Sequence, residues 1–153
     1  YSNALTAPVL FLHDLTRLCK VNNYQKKTYE KYIIEIQKAG NNINESLAID
    51  NNRIINSSIA LIFALQNNSD KAMLYLTKAL KCNKFRAKNE SKVFWMLHCS
   101  LCEQLVRFKF HELYGVKKID IESNINKIIS SSDNLLTTRL PPYLAIKDRL
   151  INA

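Results

Sequence analysis

Apolar residues recur along most of the chain at the three- and four-residue spacing of one helix face. This spacing predicts a first helix over residues 8–20 and a second over 26–39. Gly40 and the two asparagines after it predict a left-handed cap at the end of the second helix. Alternatively, the apolar residues of 43–49 continue the pattern as a short third helix.

The segment 53–66 is apolar on most helix faces, so we expect it to be central. Asn67 and Asn68 predict a tight turn, and Ser69 is a favourable N-cap for a helix that continues over 72–82. Two helices joined by so short a turn form an antiparallel hairpin. Beyond it, the spacing predicts a long helix over 91–114 that ends at Gly115, then helices over 120–130 and 143–151. We count seven or eight helices and no convincing strand.

Composition supports an all-α fold. The 153 residues are 47% hydrophobic and 23% charged, which excludes a wholly disordered chain, and no apolar run reaches the roughly 18 residues of a membrane span. Only two glycines and three prolines are present, fewer than all-β folds or glycine-rich phosphate loops need. We interpret 1–4 as a tag remnant and 5–153 as a single helical domain, which a larger protein could have supplied.

A spacing of small and large residues repeats 33 positions apart. Ala72, Leu76 and Ala79 carry the second copy, and the first lies within 39–46. This spacing resembles the second helix of the tetratricopeptide repeat, where small residues let antiparallel helices approach closely. The best match is 53–86, in which Ala60 and Phe63 fall on the small and aromatic positions of the family's first helix.

The resemblance implies an array of antiparallel helical hairpins, and an irregular helical bundle is the alternative. It also implies a partner-binding groove lined by first-helix residues, here Ile54, Ser57, Leu61 and Ala64. The family's peptide-carboxylate clamp uses Lys and Asn side chains there, and this chain offers none, so the groove would bind an apolar partner such as an amphipathic helix. The alternative is that these four residues are buried against a neighbouring helix. Asn56 and Lys84 depart from the family pattern, standing at a large apolar position and at the closing proline.

The chain carries 22 basic and 13 acidic residues, a formal net charge of +9. Such a surface attracts nucleic acid, anionic membranes or acidic proteins. The densest basic stretch is a candidate patch for an anionic partner: Lys78, Lys81, Lys84, Arg86, Lys88 and Lys92. Alternatively, these residues form a solvated face, in which those at a helix C-terminus complement its dipole.

Histidine and cysteine cluster once, in the predicted long helix. His98, Cys99, Cys102 and His111 could supply zinc ligands, and a cysteine paired with His111 could act as a nucleophile. However, Cys99 and Cys102 lie on or beside the apolar stripe, where free cysteine is an ordinary core residue. No glycine-rich turn is available for an oxyanion hole. We therefore predict no catalytic residue, no metal and no cofactor.

These observations predict an all-α, cytoplasmic protein–protein interaction module rather than an enzyme. By resemblance, it would be a regulatory or adaptor domain of a larger bacterial protein, or a secretion chaperone. A basic nucleic-acid-binding helical domain is the alternative function, and a homodimer interface is a further alternative for any exposed groove. A membrane partner is not expected.

Overall fold

The computed structural model of the chain describes residues 26–43, 45, 52–82, 89–131 and 146–150. All elements in these ranges are helical, so the fold of the described chain is all-α. They are α1 (Lys26–Ala39), a 3₁₀ turn (Gly40–Asn42), α2 (Arg53–Leu65), α3 (Ser69–Leu80), α4 (Asn89–Lys109), α5 (His111–Tyr114) and α6 (Lys118–Ser131), with residues 146–150 also helical. The helix predicted over 8–20 and nearly all of 43–49 lie outside the described residues.

Helix α2 is the centre of the fold, as its apolar sequence predicts. All ten residues from Asn56 to Leu65 are buried, because α2 contacts α1, α3 and α4. Ile59, Leu61 and Ile62 have no exposed surface, and Ile146 and Leu150 of the last helical residues join the same core. Helix α6 packs in turn on α4.

Helices α2 and α3 form the predicted hairpin, because only three residues separate two helices that pack together. Asn67 takes a left-handed conformation with φ of 60°, which asparagine tolerates better than most residues. The cap differs from the prediction. Asn68 is the N-cap of α3 and its side chain accepts a hydrogen bond from the Lys71 amide at 3.2 Å, whereas Ser69 is already helical.

The two glycines end their helices for different reasons. Gly115 has φ of 64° and ends α5 in the left-handed conformation. The left-handed cap predicted at Gly40 is wrong, since Gly115 is the only described glycine with positive φ and Gly40 opens a 3₁₀ turn. Gly40 is required for space instead. A Cβ atom there would lie 2.6 Å from Gln66 Nε2 and 2.7 Å from Ile62 Cγ2.

The long helix predicted over 91–114 is interrupted. Phe110 leaves helical geometry with φ of −111° and ψ of 38°, and it separates α4 from the single turn of α5. Its side chain is buried in the core. No helix in the described residues is long and apolar enough to cross a membrane.

The small residues that carry the repeat resemblance are buried. Ala60, Ala72 and Ala79 have no exposed surface and Leu76 is 1% exposed. Close contact between α2 and α3 explains this burial in any helical hairpin. The arrangement as a tetratricopeptide-like array therefore stays a prediction.

Candidate functional site

The predicted groove residues lie mostly inside the protein. Ser57, Leu61 and Ala64 are 2%, 0% and 0% exposed, and Ile54 is half-buried. The prediction of an open groove at these four positions needs correction for this reason. Three of the side chains already contact the chain's own core, which was the alternative interpretation of the same pattern. In this conformation, a partner can reach only Ile54.

The structure describes two side chains of the predicted basic patch. Lys78 is half-buried with its ammonium 5.0 Å from the centre of the Tyr75 ring, and Lys81 is exposed just beyond α3. Lys84, Arg86 and Lys88 lie outside the described residues, and Lys92 belongs to α4 without a described side chain. Whether the six residues form one patch stays a prediction.

A buried polar cluster lies where α2 packs on α4. His98 is 1% exposed, and its Nε2 lies 2.9 Å from Ser58 Oγ and 3.4 Å from Cys102 Sγ. The Trp95 ring meets the imidazole edge to face, with ring centres 5.1 Å apart. The helix therefore brings together His98 and Cys102, two of the four residues singled out for metal or nucleophile chemistry.

The hydrogen bonds of this cluster do not suit general-base catalysis. Ser58 Oγ donates its single proton to the carbonyl of Ile54 at 2.8 Å, so it accepts from His98 Nε2–H. A histidine base would have to accept the proton of its nucleophile. The Cys102 sulfur lies 3.4 Å from Nε2 and 4.0 Å from Nδ1 of the same ring. The cluster stabilises the packing of α2 against α4.

Burial suppresses the reactivity of both cysteines of α4. It raises the pKa of the Cys99 thiol from its ordinary 9.0 to about 11, although a hydrogen bond from Ser57 and the charge of Arg53 partly oppose the shift. Burial, aided by the nearby Cys99, also raises the pKa of Cys102 well above its ordinary value. Because the thiolate is the nucleophile and the metal ligand, both residues are protonated and unreactive at neutral pH.

The geometry of the cluster also differs from that of a metal site. His111 lies on α5, and no group of three or more His, Cys, Asp or Glu side chains is placed to hold a metal within the described ranges. Cys82, buried beyond the end of α3, donates its thiol proton to the Lys78 carbonyl at 3.2 Å and lies 3.9 Å from Asn56 Nδ2. These contacts are those of core thiols.

Sequence reasoning missed exposed large apolar side chains on two consecutive helices. Leu74 and Leu80 on α3 are 48% and 44% exposed, and Val93 and Met96 on α4 are 53% and 47% exposed. We call these four residues the exposed apolar face. They are four of the seven large apolar side chains that are exposed in the described chain. A signal was present for Leu74 alone, which lies on the opposite side of the helix from Ala72, Leu76 and Ala79, whereas Leu80 follows Leu76 by one turn and continues that stripe.

Comparison with known proteins identifies no relative: no family model, no curated protein and no solved structure matches the chain. The arguments for function therefore come from the residues and geometry described above.

Proposed function

We propose that the chain is a protein–protein interaction module that docks an acidic, amphipathic segment of a partner on the exposed apolar face. The observation that carries this proposal is that polar side chains are buried in the core, whereas the large apolar side chains of that face are exposed to solvent. The polar side chains at the α2–α4 contact, Ser58, His98 and Cys102, are buried and contact one another. Four large apolar side chains of α3 and α4 are instead close to half exposed.

The positions of these side chains favour a docking surface over scattered surface exposure. Isolated surface leucines are common and need no explanation. Leu74 and Leu80, however, both lie within about 60° of Thr77 around α3, at 100° per residue, so they flank this exposed position on one side of the helix. Helix α4 contacts α3 and carries the other two residues of the face. Apolar anchors on neighbouring helices are the usual contacts for an amphipathic partner helix.

Charge favours an acidic partner. The chain carries +9, and Asp70 is the only acidic residue of α3. Lys78 and Lys81 lie on or directly after this helix, and Lys71 is paired with Glu45. Positive charge around an apolar contact steers an acidic segment and discourages a basic one. The adaptor, regulatory or secretion-chaperone role and the cytoplasmic location predicted from the sequence belong to this proposal and stay predictions.

Site-specific crosslinking tests the proposal. A photoreactive residue replaces Thr77, between the two leucines, and the full chain is irradiated in cells of its source organism. We expect one predominant protein product, whose crosslinked peptide has apolar residues at helical spacing and a surplus of Asp and Glu. The matched control places the same photoreactive residue at Asn126, an exposed position on α6. Identical products from both positions, no product from Thr77, or crosslinks to nucleic acid would contradict the proposal.

A further inference from the structure

A polar cleft of about 390 Å³ lies on a different part of the molecule from the exposed apolar face. Its walls come from the last turns of α1, the 3₁₀ turn, the residue after α2 and the helical residues 146–150. We call it the amide cleft, and it is lined by Ile34, Gln37, Lys38, Asn41, Gln66 and Arg149. Its volume is near the lower end for small-molecule sites, about 300 Å³, and the cleft is largely open to solvent.

Hydrogen bonds fix three side chains of the amide cleft. Gln66 Nε2 donates to the Gln37 carbonyl at 2.7 Å and to Asn41 Oδ1 at 2.9 Å, which uses both of its protons. The Gln37 amide donates to the Leu65 carbonyl, and its Oε1 accepts from Arg149 at 3.4 Å. A binding site needs side chains held in place in this way before the ligand arrives.

The groups left over in the amide cleft are mainly donors. Lys38 and Arg149 make no ion pair in the part of the chain that the structure describes, and no carboxylate lines the cleft. Arg149 Nε is buried without a hydrogen-bond partner there. The Asn41 amide protons add two more donors, and the remaining acceptor sites are on Gln66 Oε1 and on the second lone pairs of Asn41 Oδ1 and Gln37 Oε1.

The negative ends of the helix dipoles do not balance the positive charges of both Lys38 and Arg149. The cleft lies at the C-terminal ends of α1 and α2, and each helix end carries a partial charge of about −0.5. The two ends together supply about −1, whereas Lys38 and Arg149 supply two positive charges.

Gly40 lies directly against the Gln66 side chain of the amide cleft. Any larger residue would place its Cβ 2.6 Å from Gln66 Nε2, the atom that bonds both Gln37 and Asn41. One of the two glycines of the chain therefore leaves room for the side chain that organises the cleft.

We infer that the amide cleft binds a small organic acid through its carboxylate. The guanidinium of Arg149 matches a planar carboxylate, and Lys38 neutralises its charge. The Asn41 and Gln66 amides offer donors and an acceptor to the polar body of the ligand. Ile34, 38% exposed, contributes the apolar part of the wall.

An NMR titration of the full chain tests this inference. The probes are acetate, glutamine and hydrogen succinate, with inorganic phosphate as a second oxyanion and sodium chloride as the ionic-strength control. We expect saturable shifts of the Gln37, Asn41 and Gln66 side-chain amides with at least one carboxylate and none with chloride. No saturable shift with any carboxylate, or saturation with phosphate alone, would overturn the inference.

Two charge variants complete the test. Lys38→Gln should weaken carboxylate binding by about tenfold, as should Arg149→Gln. Lys31→Gln removes the same charge from an exposed position of α1 that does not line the cleft, and should leave binding unchanged. Equal weakening by Lys38→Gln and Lys31→Gln would show a general charge effect and overturn the assigned site. The exposed apolar face is untouched by these variants, so failure here leaves the docking proposal standing.

Discussion

The thiol of Cys99 links the stability of the core to pH. Its pKa is raised by burial from 9.0 to about 11, so the folded protein retains a proton that the unfolded chain releases. The folded state thus binds more protons between these two values. The stabilisation is complete below pH 9.0 and is lost as pH rises toward about 11.

We predict that the free energy of unfolding of the native chain falls by about 2 to 3 kcal/mol across this alkaline window on account of Cys99. Urea unfolding with a reductant present measures it. The Cys99→Ala variant keeps the other titrating groups, so its unfolding free energy should fall less steeply over the same range. Equal slopes for the two proteins would show that Cys99 ionises as freely in the folded as in the unfolded state.

Substitution by Ala and by Asn should lower thermal stability in opposite orders at the two glycines. At Gly115, where φ is 64° and nothing lies within 4 Å of a new Cβ, Ala costs about 1 kcal/mol and Asn less, because Asn tolerates the left-handed conformation. At Gly40 space is limiting, so Asn destabilises more than Ala, which itself costs about 1 to 3 kcal/mol. Thermal unfolding of the four variants checks this order, and the same order at both sites would contradict the explanation.

At the scale of helices, the start of α3 depends on one side chain. Asn68 accepts the Lys71 amide proton, whereas Ser69, which the sequence pattern favoured, lies inside the first turn. Asn68→Ala should destabilise the protein by about 1 kcal/mol. Ser69→Ala, the matched control, should change stability by less than about 0.5 kcal/mol. Urea unfolding compares them, and a larger effect at Ser69 would place the cap where the sequence alone suggested.

The helices differ in how far sequence predicts them. Helix α2 was predictable in extent and central position because its apolar residues cover most faces, and the turn at Asn67 was predictable from asparagine's tolerance of positive φ. The break at Phe110 was not, since the apolar spacing continues through it and only the core decides that this ring is buried. Local patterns indicate helices, and tertiary packing sets their ends.

At the scale of the whole molecule, the sequence identifies which polar side chains lie on one helix, but not which side chains of other helices contact them. His98 and Cys102 are four positions apart on one helix, so their contact follows from helical spacing. Their partner Ser58 comes from another helix, and the Arg149–Gln37 contact of the amide cleft joins positions 112 residues apart. Such contacts depend on how the helices pack. For the same reason, the pattern at Ile54, Ser57, Leu61 and Ala64 fits an open groove and a buried face equally well.

The central claim is that apolar contact with the exposed face, rather than positive charge, binds the partner. The direct measurement is the affinity of the chain for the segment crosslinked at Thr77, made as a labelled peptide, at physiological salt. Two double variants are compared with the native chain: Leu74→Ala with Leu80→Ala, and Lys78→Gln with Lys81→Gln. We predict that the leucine pair weakens binding by about tenfold or more. The lysine pair should change it much less, because both charges can be reached by solvent ions and are screened by salt. Loss of binding in the lysine variant with the leucine variant unaffected would contradict the account.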